Sequence, residues 1–147
     1  MHHNERVDEG NHGGLDAALS RVGDRWSLLV VGSLLEGPLR FNELQASLPG
    51  IATSVLSQRL KALENEGVVV ATPYSSRPPR LSYALTSTGR ELGGAVRLLA
   101  RWGADHGGLG IDTPVHGQCG TPLEVHWYCP TCARVLDDEE GADPAYI

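Results

Sequence analysis

The chain has 147 residues, of which 41% are hydrophobic and 20% charged, so its length and composition are typical of one water-soluble domain with at most a small appendage. The formal net charge is −6, but residues 1–106 carry 11 basic and 11 acidic side chains, whereas residues 107–147 carry one arginine and seven acids; the net charge therefore does not exclude a nucleic-acid partner. No apolar run approaches the roughly 20 residues that cross a bilayer and the N-terminus lacks the apolar centre of a secretory signal, so we expect a cytoplasmic protein that does not engage a membrane.

The N-terminal third is predicted to contain an arm and two helices. Residues 1–14 are polar and rich in His, Asn and Gly, and we expect them to form a disordered arm. Apolar residues spaced four and three apart predict a first helix over residues 15–22. Asp24 is expected to cap a second helix, over residues 25–36, which is apolar nearly all round and therefore buried on most sides.

A second pair of helices is predicted on either side of a proline-glycine turn. Residues 40–48 form the shorter helix and residues 51–66 the longer one. Thr53 is the expected N-cap of the longer helix, and Gly67 stands at the position where a left-handed residue would end it.

The hydrophobic period then changes from that of a helix to that of a strand. Residues 68–72 and 81–85 are predicted to be two strands of a hairpin, joined by a proline- and arginine-rich loop over residues 73–80. A single long helix is expected to follow, to about residue 106, with residues 86–88 at its cap.

This order of elements indicates the fold class. Two short helices joined by a tight turn and followed by a hairpin are typical of a winged helix-turn-helix. We therefore predict a mainly α protein with a small β-hairpin wing over residues 15–106. Residues 107–147 are expected to hold a linker, a zinc-ribbon-like segment and an acidic tail, because so short a segment builds no core of its own.

The longer helix has two faces that suit a DNA-reading element. A projection at 100° per residue places Leu56, Leu60 and Leu63 together, opposite hydroxyls, an amide and a lysine. Such short polar groups and cations can contact bases or phosphates in the major groove. Arg59 falls on the flank of the apolar face, where pairing with a carboxylate and contact with DNA are both open, and it is left out of the predicted site.

The hairpin loop adds cations to this face. Arg77 and Arg80 have no acidic neighbour between residues 75 and 80, and the prolines stiffen the loop, although a solvated surface loop remains the alternative. Asn42 is a weaker candidate for a phosphate contact. The predicted DNA-binding residues are Asn42, Thr53, Ser54, Ser57, Gln58, Lys61, Arg77 and Arg80.

Five motifs in this order resemble a known family. They are VGDRWSLLV at 22–30, GPLRFNEL at 37–44, LPGI at 48–51, VLSQRLKAL at 55–63 and YALTSTGR at 83–90. Over about residues 15–106 the chain resembles the HxlR-type regulators, relatives of the MarR group. The resemblance implies a dimeric winged-helix repressor or activator that pairs through its first and last helices.

Apolar stripes on the two terminal helices fit that implied dimer. For the last helix, packing within its own chain is the alternative. The predicted interface residues are Leu15, Leu19, Leu92, Val96, Leu99 and Trp102. Many family members carry a sensing cysteine just before the first helix, where this chain has Gly13-Gly14. We therefore expect no thiol sensing there, and any small-molecule effector would act elsewhere.

Three cysteines near the C-terminus point to a metal rather than to disulfides, since their number is odd. His116 and Cys119 form one three-residue-spaced pair, and Cys129 and Cys132 form another. This spacing predicts a structural Zn²⁺ site. His126 competes with His116 as the fourth ligand, and a redox-active Cys129–Cys132 pair or reactive thiols are the other interpretations.

The residues together predict a sequence-specific DNA-binding regulator that acts as a homodimer. A zinc-ribbon adaptor that also binds DNA is the alternative, and a zinc-dependent enzyme is less favoured. Four closed ligands leave no site for water, and Glu124 is the only nearby carboxylate that could serve as a base. We expect no enzymatic activity.

Overall fold

The computed structural model describes residues 13–108 and 115–136. Residues 1–12, 109–114 and 137–147 lie outside the described residues. They belong to the predicted arm, the predicted linker and the predicted acidic tail. The described helices are α1 (Gly13–Val22), α2 (Arg25–Leu34), α3 (Phe41–Ser47), α4 (Thr53–Asn65), α5 (Ser87–Glu91) and α6 (Gly93–Gly107). The strands are β1 (Leu39–Arg40), β2 (Val69–Ser76), β3 (Pro79–Leu85), β4 (Trp127–Cys129) and β5 (Arg134–Leu136). None of these helices is long and apolar enough to cross a membrane.

Helix α2 lies at the centre of the core. Val30 and Val31 are fully buried, and α2 contacts α4, α6 and β3. The leucines of α4 and the first residues of the wing complete one continuous apolar cluster. The near-continuous apolar sequence of α2 is explained by these neighbours on several sides, as predicted.

The start of α2 follows the predicted cap. Asp24 has extended backbone and its carboxylate accepts a hydrogen bond from the Ser27 backbone N–H at 3.0 Å. This satisfies one of the N–H groups that the first turn of a helix leaves without a partner. The helix ends at Leu34, two residues before the predicted end.

The start of α4 differs from the prediction, whereas its end agrees. Ala52, not Thr53, is the N-cap residue, and the Thr53 hydroxyl accepts a hydrogen bond from Gln45 at 2.9 Å instead of capping its own helix. At the other end Gly67 is left-handed, with φ of +71°. The N–H of Val68 donates to the carbonyl of Leu63 at 2.9 Å, which completes a Schellman motif.

The wing is longer and its turn shorter than predicted. Strands β2 and β3 pair as far as Ser76 and Pro79, so that only two residues form the turn where an eight-residue loop was expected. Strand β2 tolerates its proline because it is an edge strand, and a bulge follows Pro73. The unpredicted β1 adds a third strand, in the order β1-β3-β2, with Leu39 opposite Tyr83.

The predicted single C-terminal helix is interrupted at Leu92. Thr86 caps α5 by accepting a hydrogen bond from the Gly89 N–H at 3.0 Å. Gly93 and Gly94, which have low helix propensity, begin α6 after the break. Leu92 and Val96 then pack against the core cluster.

The C-terminal segment lies beside α6. Its described part contains an isolated bridge between Val115 and Pro122 and the antiparallel pair β4–β5. Arg101 of α6 donates a hydrogen bond to the carbonyl of Leu123 at 3.0 Å. The whole is therefore helical with a small antiparallel sheet, the architecture of a winged helix-turn-helix, with a small β appendage.

Candidate nucleic-acid interface

Helix α4 has the two faces that its sequence predicts. Leu56 and Leu63 are fully buried and Leu60 is 2% exposed. The hydroxyls, amide and ammonium on the opposite side all lie at the surface. The exposed predicted residues of α4 are Thr53, Ser54, Ser57, Gln58 and Lys61. The face is open to a partner, although DNA contact by these residues stays a prediction.

Two side-chain hydrogen bonds position α3 between α2 and α4. Gln45 of α3 donates to Thr53 of α4, and Ser47 of α3 lies 3.1 Å from the Ser33 hydroxyl of α2. A third contact fixes the start of α3, where the Arg40 backbone N–H donates to the Glu43 carboxylate at 2.7 Å. The orientation of α4 relative to the rest of the domain is thus set by polar contacts as well as by the core.

Arg59 pairs with a carboxylate, the first of its two interpretations. Its Nη1 lies 3.4 Å from Oδ2 of Asp24, the residue that caps α2. Burial by itself raises the pKa of Asp24, but hydrogen bonds from Ser27 and the charge of Arg59 outweigh it and lower that pKa below its ordinary value of 3.8. Arg59 therefore connects α4 to α2 and lies beside the exposed polar face of α4 rather than within it.

The wing and the start of α3 form a cleft of about 510 Å³. Asn42 and Arg80, both predicted site residues, line it together with Arg40 and Tyr74. The Arg40 guanidinium lies over the Tyr74 ring, 4.3 Å from its centroid. Arg77 is exposed in the turn of the wing.

Arg40 and Tyr74 are candidate functional residues that the sequence did not single out. Arg40 is the first residue of the helix predicted over residues 40–48, and nothing in that prediction places it beside the hairpin. Only the pairing of β1 with β3 brings it beside the wing. The sequence gives no indication of a role for Tyr74, because this residue falls within the loop predicted over residues 73–80.

The structure divides the residues predicted for a dimer interface into two groups. Leu92 and Val96 are partly buried against their own core, which agrees with the alternative interpretation for this stripe. The other four are more than half exposed or close to it in the single chain. They are Leu15 at 59%, Leu19 at 50%, Leu99 at 56% and Trp102 at 62%. Helices α1 and α6 thus each present apolar surface.

The four predicted metal ligands lie as two separate pairs. His116 Nδ1 is 3.2 Å from Cys119 Sγ, whereas Cys129 is the last residue of β4 and Cys132 lies in the turn that leads to β5. No group of three or more His, Cys, Asp or Glu side chains close enough to hold a metal ion is found among the described residues. His126 contacts the Glu124 carboxylate at 2.9 Å. Zinc binding therefore stays a prediction.

Hydrogen bonds favour the thiolate form of two of the cysteines. The hydroxyl and backbone N–H of Thr121, together with His116, lower the pKa of Cys119 below its ordinary value. The backbone and side chain of Cys132 and the backbone of Thr131 do the same for the pKa of Cys129. Thiolates are both the nucleophilic and the metal-binding form of cysteine.

A family comparison covers the winged helix-turn-helix from the end of α1 onward. The family model described as HxlR-like helix-turn-helix matches residues 21–109, which include α2 to α6 and the three-stranded wing. The chain belongs to the HxlR-like helix-turn-helix family. This HxlR-like chain is therefore a transcriptional regulator of the helix-turn-helix type.

Relatives and solved structures agree with this assignment. The HxlR-like chain is 36% identical over 122 residues to an HTH-type transcriptional regulator of Mycobacterium tuberculosis, covering 81% of this chain and 77% of the relative. It is 35% identical over 92 residues to YtcD of Bacillus subtilis, covering 63% and 73% of the two chains.

Among solved structures, a crystal structure of YtcD superposes with a TM-score of 0.60 at 34% identity, covering 64% of this chain and 96% of that one. The oxidized form of the redox regulator HypR gives a TM-score of 0.60 at 30% identity, covering 63% and 96%. In the HxlR-like chain all three cysteines lie beyond the range that the family model matches, in the β appendage.

Proposed function

We propose that this HxlR-like chain binds duplex DNA sequence-specifically as a homodimer, with α4 in the major groove and the wing on the adjacent backbone or minor groove. The observation that carries the proposal is the exposed polar face of α4 opposite its fully buried leucines. The relatives named above are described as transcriptional regulators, which favours this role over the adaptor and the zinc-dependent enzyme.

The chemistry of the α4 face suits base contacts. The Gln58 amide can donate to and accept from an adenine edge, and Ser54 and Ser57 can do either with several bases. The ammonium of Lys61 can neutralise a phosphate. The major groove is about 12 Å wide and admits a helix with its side chains. A helix of 13 residues is about 20 Å long, enough to span the edges of several base pairs.

The cleft between α3 and the wing suits the DNA backbone. Arg40 and Arg80 bring two positive charges to its wall, and Asn42 adds an amide donor. Phosphate contacts of this kind orient a protein on the duplex and leave sequence reading to the groove-facing helix. We therefore add Arg40 to the proposed phosphate-binding residues.

The exposed apolar surface of α1 and α6 supports the homodimer. Side chains such as Leu99 and Trp102 expose more than half of their surface in the single chain, and a second copy would remove that apolar surface from water. A two-fold dimer would then present two α4 helices to half-sites about 34–36 Å apart, one turn of the duplex.

The test is selection of bound sequences from random duplexes, followed by anisotropy titrations of the selected site at several salt concentrations. We expect a palindromic or near-palindromic site whose half-sites recur at one helical turn, and a log-affinity that falls linearly with log-salt. Selection that enriches no sequence, or an affinity that is indifferent to salt, would contradict the proposal.

A further inference from the structure

We propose that His116, Cys119, Cys129 and Cys132 together bind one Zn²⁺ ion, which joins the two turns of the β appendage into a closed, structural site. This site is separate from the DNA-facing surface and is not needed for the function proposed above. Two matching turns, an existing ligand-to-ligand distance and the lack of a core in this segment support it.

Backbone hydrogen bonds and a left-handed glycine close the first turn tightly around its two predicted ligands. The N–H of Gly120 donates to the carbonyl of His116 at 2.7 Å, and the N–H of His116 donates to the carbonyl of Thr121 at 2.8 Å. Gly120, directly after the second ligand, is left-handed with φ of +69°. The chain enters and leaves this turn as an antiparallel pair, with Val115 opposite Pro122.

The second turn repeats this arrangement. Cys129 and Cys132 are again three residues apart, and the residue after the second ligand, Ala133, is again left-handed, with φ of +54°. The chain again enters and leaves as an antiparallel pair, with Cys129 opposite Arg134. A left-handed alanine is unfavourable, and such conformations persist where the surrounding structure requires them. Among the described residues Ala133 is the one non-glycine with positive φ.

One distance in the first turn is close to the value expected for two ligands of the same metal ion. A thiolate and an imidazole nitrogen on one tetrahedral Zn²⁺ are about 3.6 Å apart, given bond lengths of about 2.3 and 2.0–2.1 Å. His116 Nδ1 and Cys119 Sγ lie 3.2 Å apart, a few tenths of an ångström closer. The structure also favours His116 over His126 as the fourth ligand, because His126 contacts Glu124 instead.

The appendage has no core to hold its two turns together. No residue within 115–136 is buried, and its large apolar side chains are at the surface. Val125, Trp127 and Tyr128 are 60%, 65% and 59% exposed. A segment of this size generally needs a metal or a disulfide to fold, and structural zinc supplies folding free energy directly. The two pairs would have to approach each other to share one ion, because they do not form one cluster among the described residues.

The donor set determines the kind of site. Three thiolates and a neutral imidazole satisfy the tetrahedral preference of Zn²⁺ with protein groups alone, so that no position is left for water. Binding displaces the protons of the cysteine thiols to solvent and changes no oxidation state. A structural ion is therefore expected, not a catalytic one.

The experiment measures the metal content of the full chain. The protein is purified under reducing conditions and dialysed first against a buffer that contains zinc and then against a metal-free buffer. We expect one zinc per chain by elemental analysis, and the intense visible absorption of tetrahedral thiolate coordination when Co²⁺ replaces zinc. Cys129→Ser and His116→Ala should lower zinc affinity at least tenfold in competition with a chromophoric chelator. His126→Ala is the matched control and should retain wild-type affinity.

Far-UV circular dichroism and thermal unfolding of each variant show that its winged domain is still folded, so that a loss of zinc is not mistaken for general unfolding. Wild-type protein that retains no zinc would overturn the proposal. So would a Co²⁺ spectrum of octahedral type, or a Cys129–Cys132 disulfide that forms readily in zinc-supplemented protein. Loss of zinc from His126→Ala but not from His116→Ala would overturn the ligand assignment.

Discussion

Asp24 connects two helices through one carboxylate. It caps α2 through the Ser27 backbone, contacts the Ser27 hydroxyl and pairs with Arg59 of α4. The same side chain therefore holds the start of the central helix and the flank of the helix that we propose enters the groove. The two roles can be separated, because asparagine keeps the cap and removes the charge.

We expect Asp24→Ala to lower the free energy of unfolding by about 1–2 kcal/mol, since an N-cap is lost and Arg59 loses its partner. Asp24→Asn should cost less at neutral pH. The folded-state pKa of Asp24 is depressed, so the contribution of its charge is fully present above the ordinary value of 3.8 and is lost as the pH falls through the lower folded value.

Chemical denaturation of the wild type and Asp24→Asn at several pH values between 3 and 7 tests the direction of this pH dependence. The difference in unfolding free energy between the two proteins should be constant from about pH 5 upward and should shrink toward pH 3. A difference that grows as the pH falls would contradict the assigned direction of the pKa.

Lys61 is the single lysine of the chain and lies exposed on α4. If it contacts a phosphate, Lys61→Gln should weaken binding of every duplex by a similar factor, about tenfold, and reduce the slope of log-affinity against log-salt by about 1. Arg97→Gln on α6 removes the same charge far from that face in the proposed complex. An unchanged slope for Lys61→Gln, or an equal change for Arg97→Gln, would remove Lys61 from the interface.

Among the elements, α4 is followed by one glycine and α6 contains another, and the two have opposite conformational needs. Gly67 ends α4 with φ of +71°, whereas Gly94 lies within α6. An added Cβ would meet no atom within 4 Å at either position. A substitution by alanine therefore tests backbone conformation alone at both.

We expect Gly67→Ala to destabilise the protein by about 1–2 kcal/mol, because an L-residue is strained in the left-handed region. Gly94→Ala should stabilise it by about 0.5–1 kcal/mol, because alanine loses less entropy in a helix. Thermal and urea unfolding measure both. The same sign for the two variants would contradict the assigned conformations.

The wing shows how one element depends on another for its position. Arg40 lies in β1, whose two residues pair with Tyr83 and Ser82 of β3. This pairing, with the stacking of Arg40 on Tyr74, brings the start of α3 against the wing. The cleft that we propose for phosphate contact is therefore a product of three elements, none of which forms it alone.

For the whole molecule, the exposed apolar surface of α1 and α6 determines the expected assembly. Leu99→Glu would place a charge in the proposed interface. We expect the dimer dissociation constant to rise about a hundredfold, or about 3 kcal/mol, since an unpaired buried charge is costly. Analytical ultracentrifugation over a range of concentrations measures it.

Val70→Glu is the control for this substitution. Val70 is also exposed, at 45%, but lies on the wing and not on α1 or α6. Its substitution should leave the dissociation constant unchanged. A wild-type protein that is monomeric at all concentrations, or a dimer that Leu99→Glu leaves intact, would remove this surface from the proposed assembly.

The sequence alone predicted the features that local chemistry determines. Three such features are Asp24 as the cap of α2, Gly67 at the end of α4, and the grouping of the α4 leucines on one face. All of them depend on residues within one or two helical turns. The order of helices and hairpin, and with it the family, followed from the same local signals. Periodicity and capping are properties of neighbouring residues, so one chain is enough to find them.

Tertiary structure alone decided where these elements meet. The Thr53 hydroxyl accepts a hydrogen bond from Gln45 instead of capping α4, and β2 extends past Pro73 because it is an edge strand. Leu92 and Val96 pack on their own core, whereas Leu99 and Trp102 stay exposed. Each outcome depends on how separate elements pack against one another. A helical or strand period identifies a face, but it does not identify what will cover that face, because burial is a relation between elements.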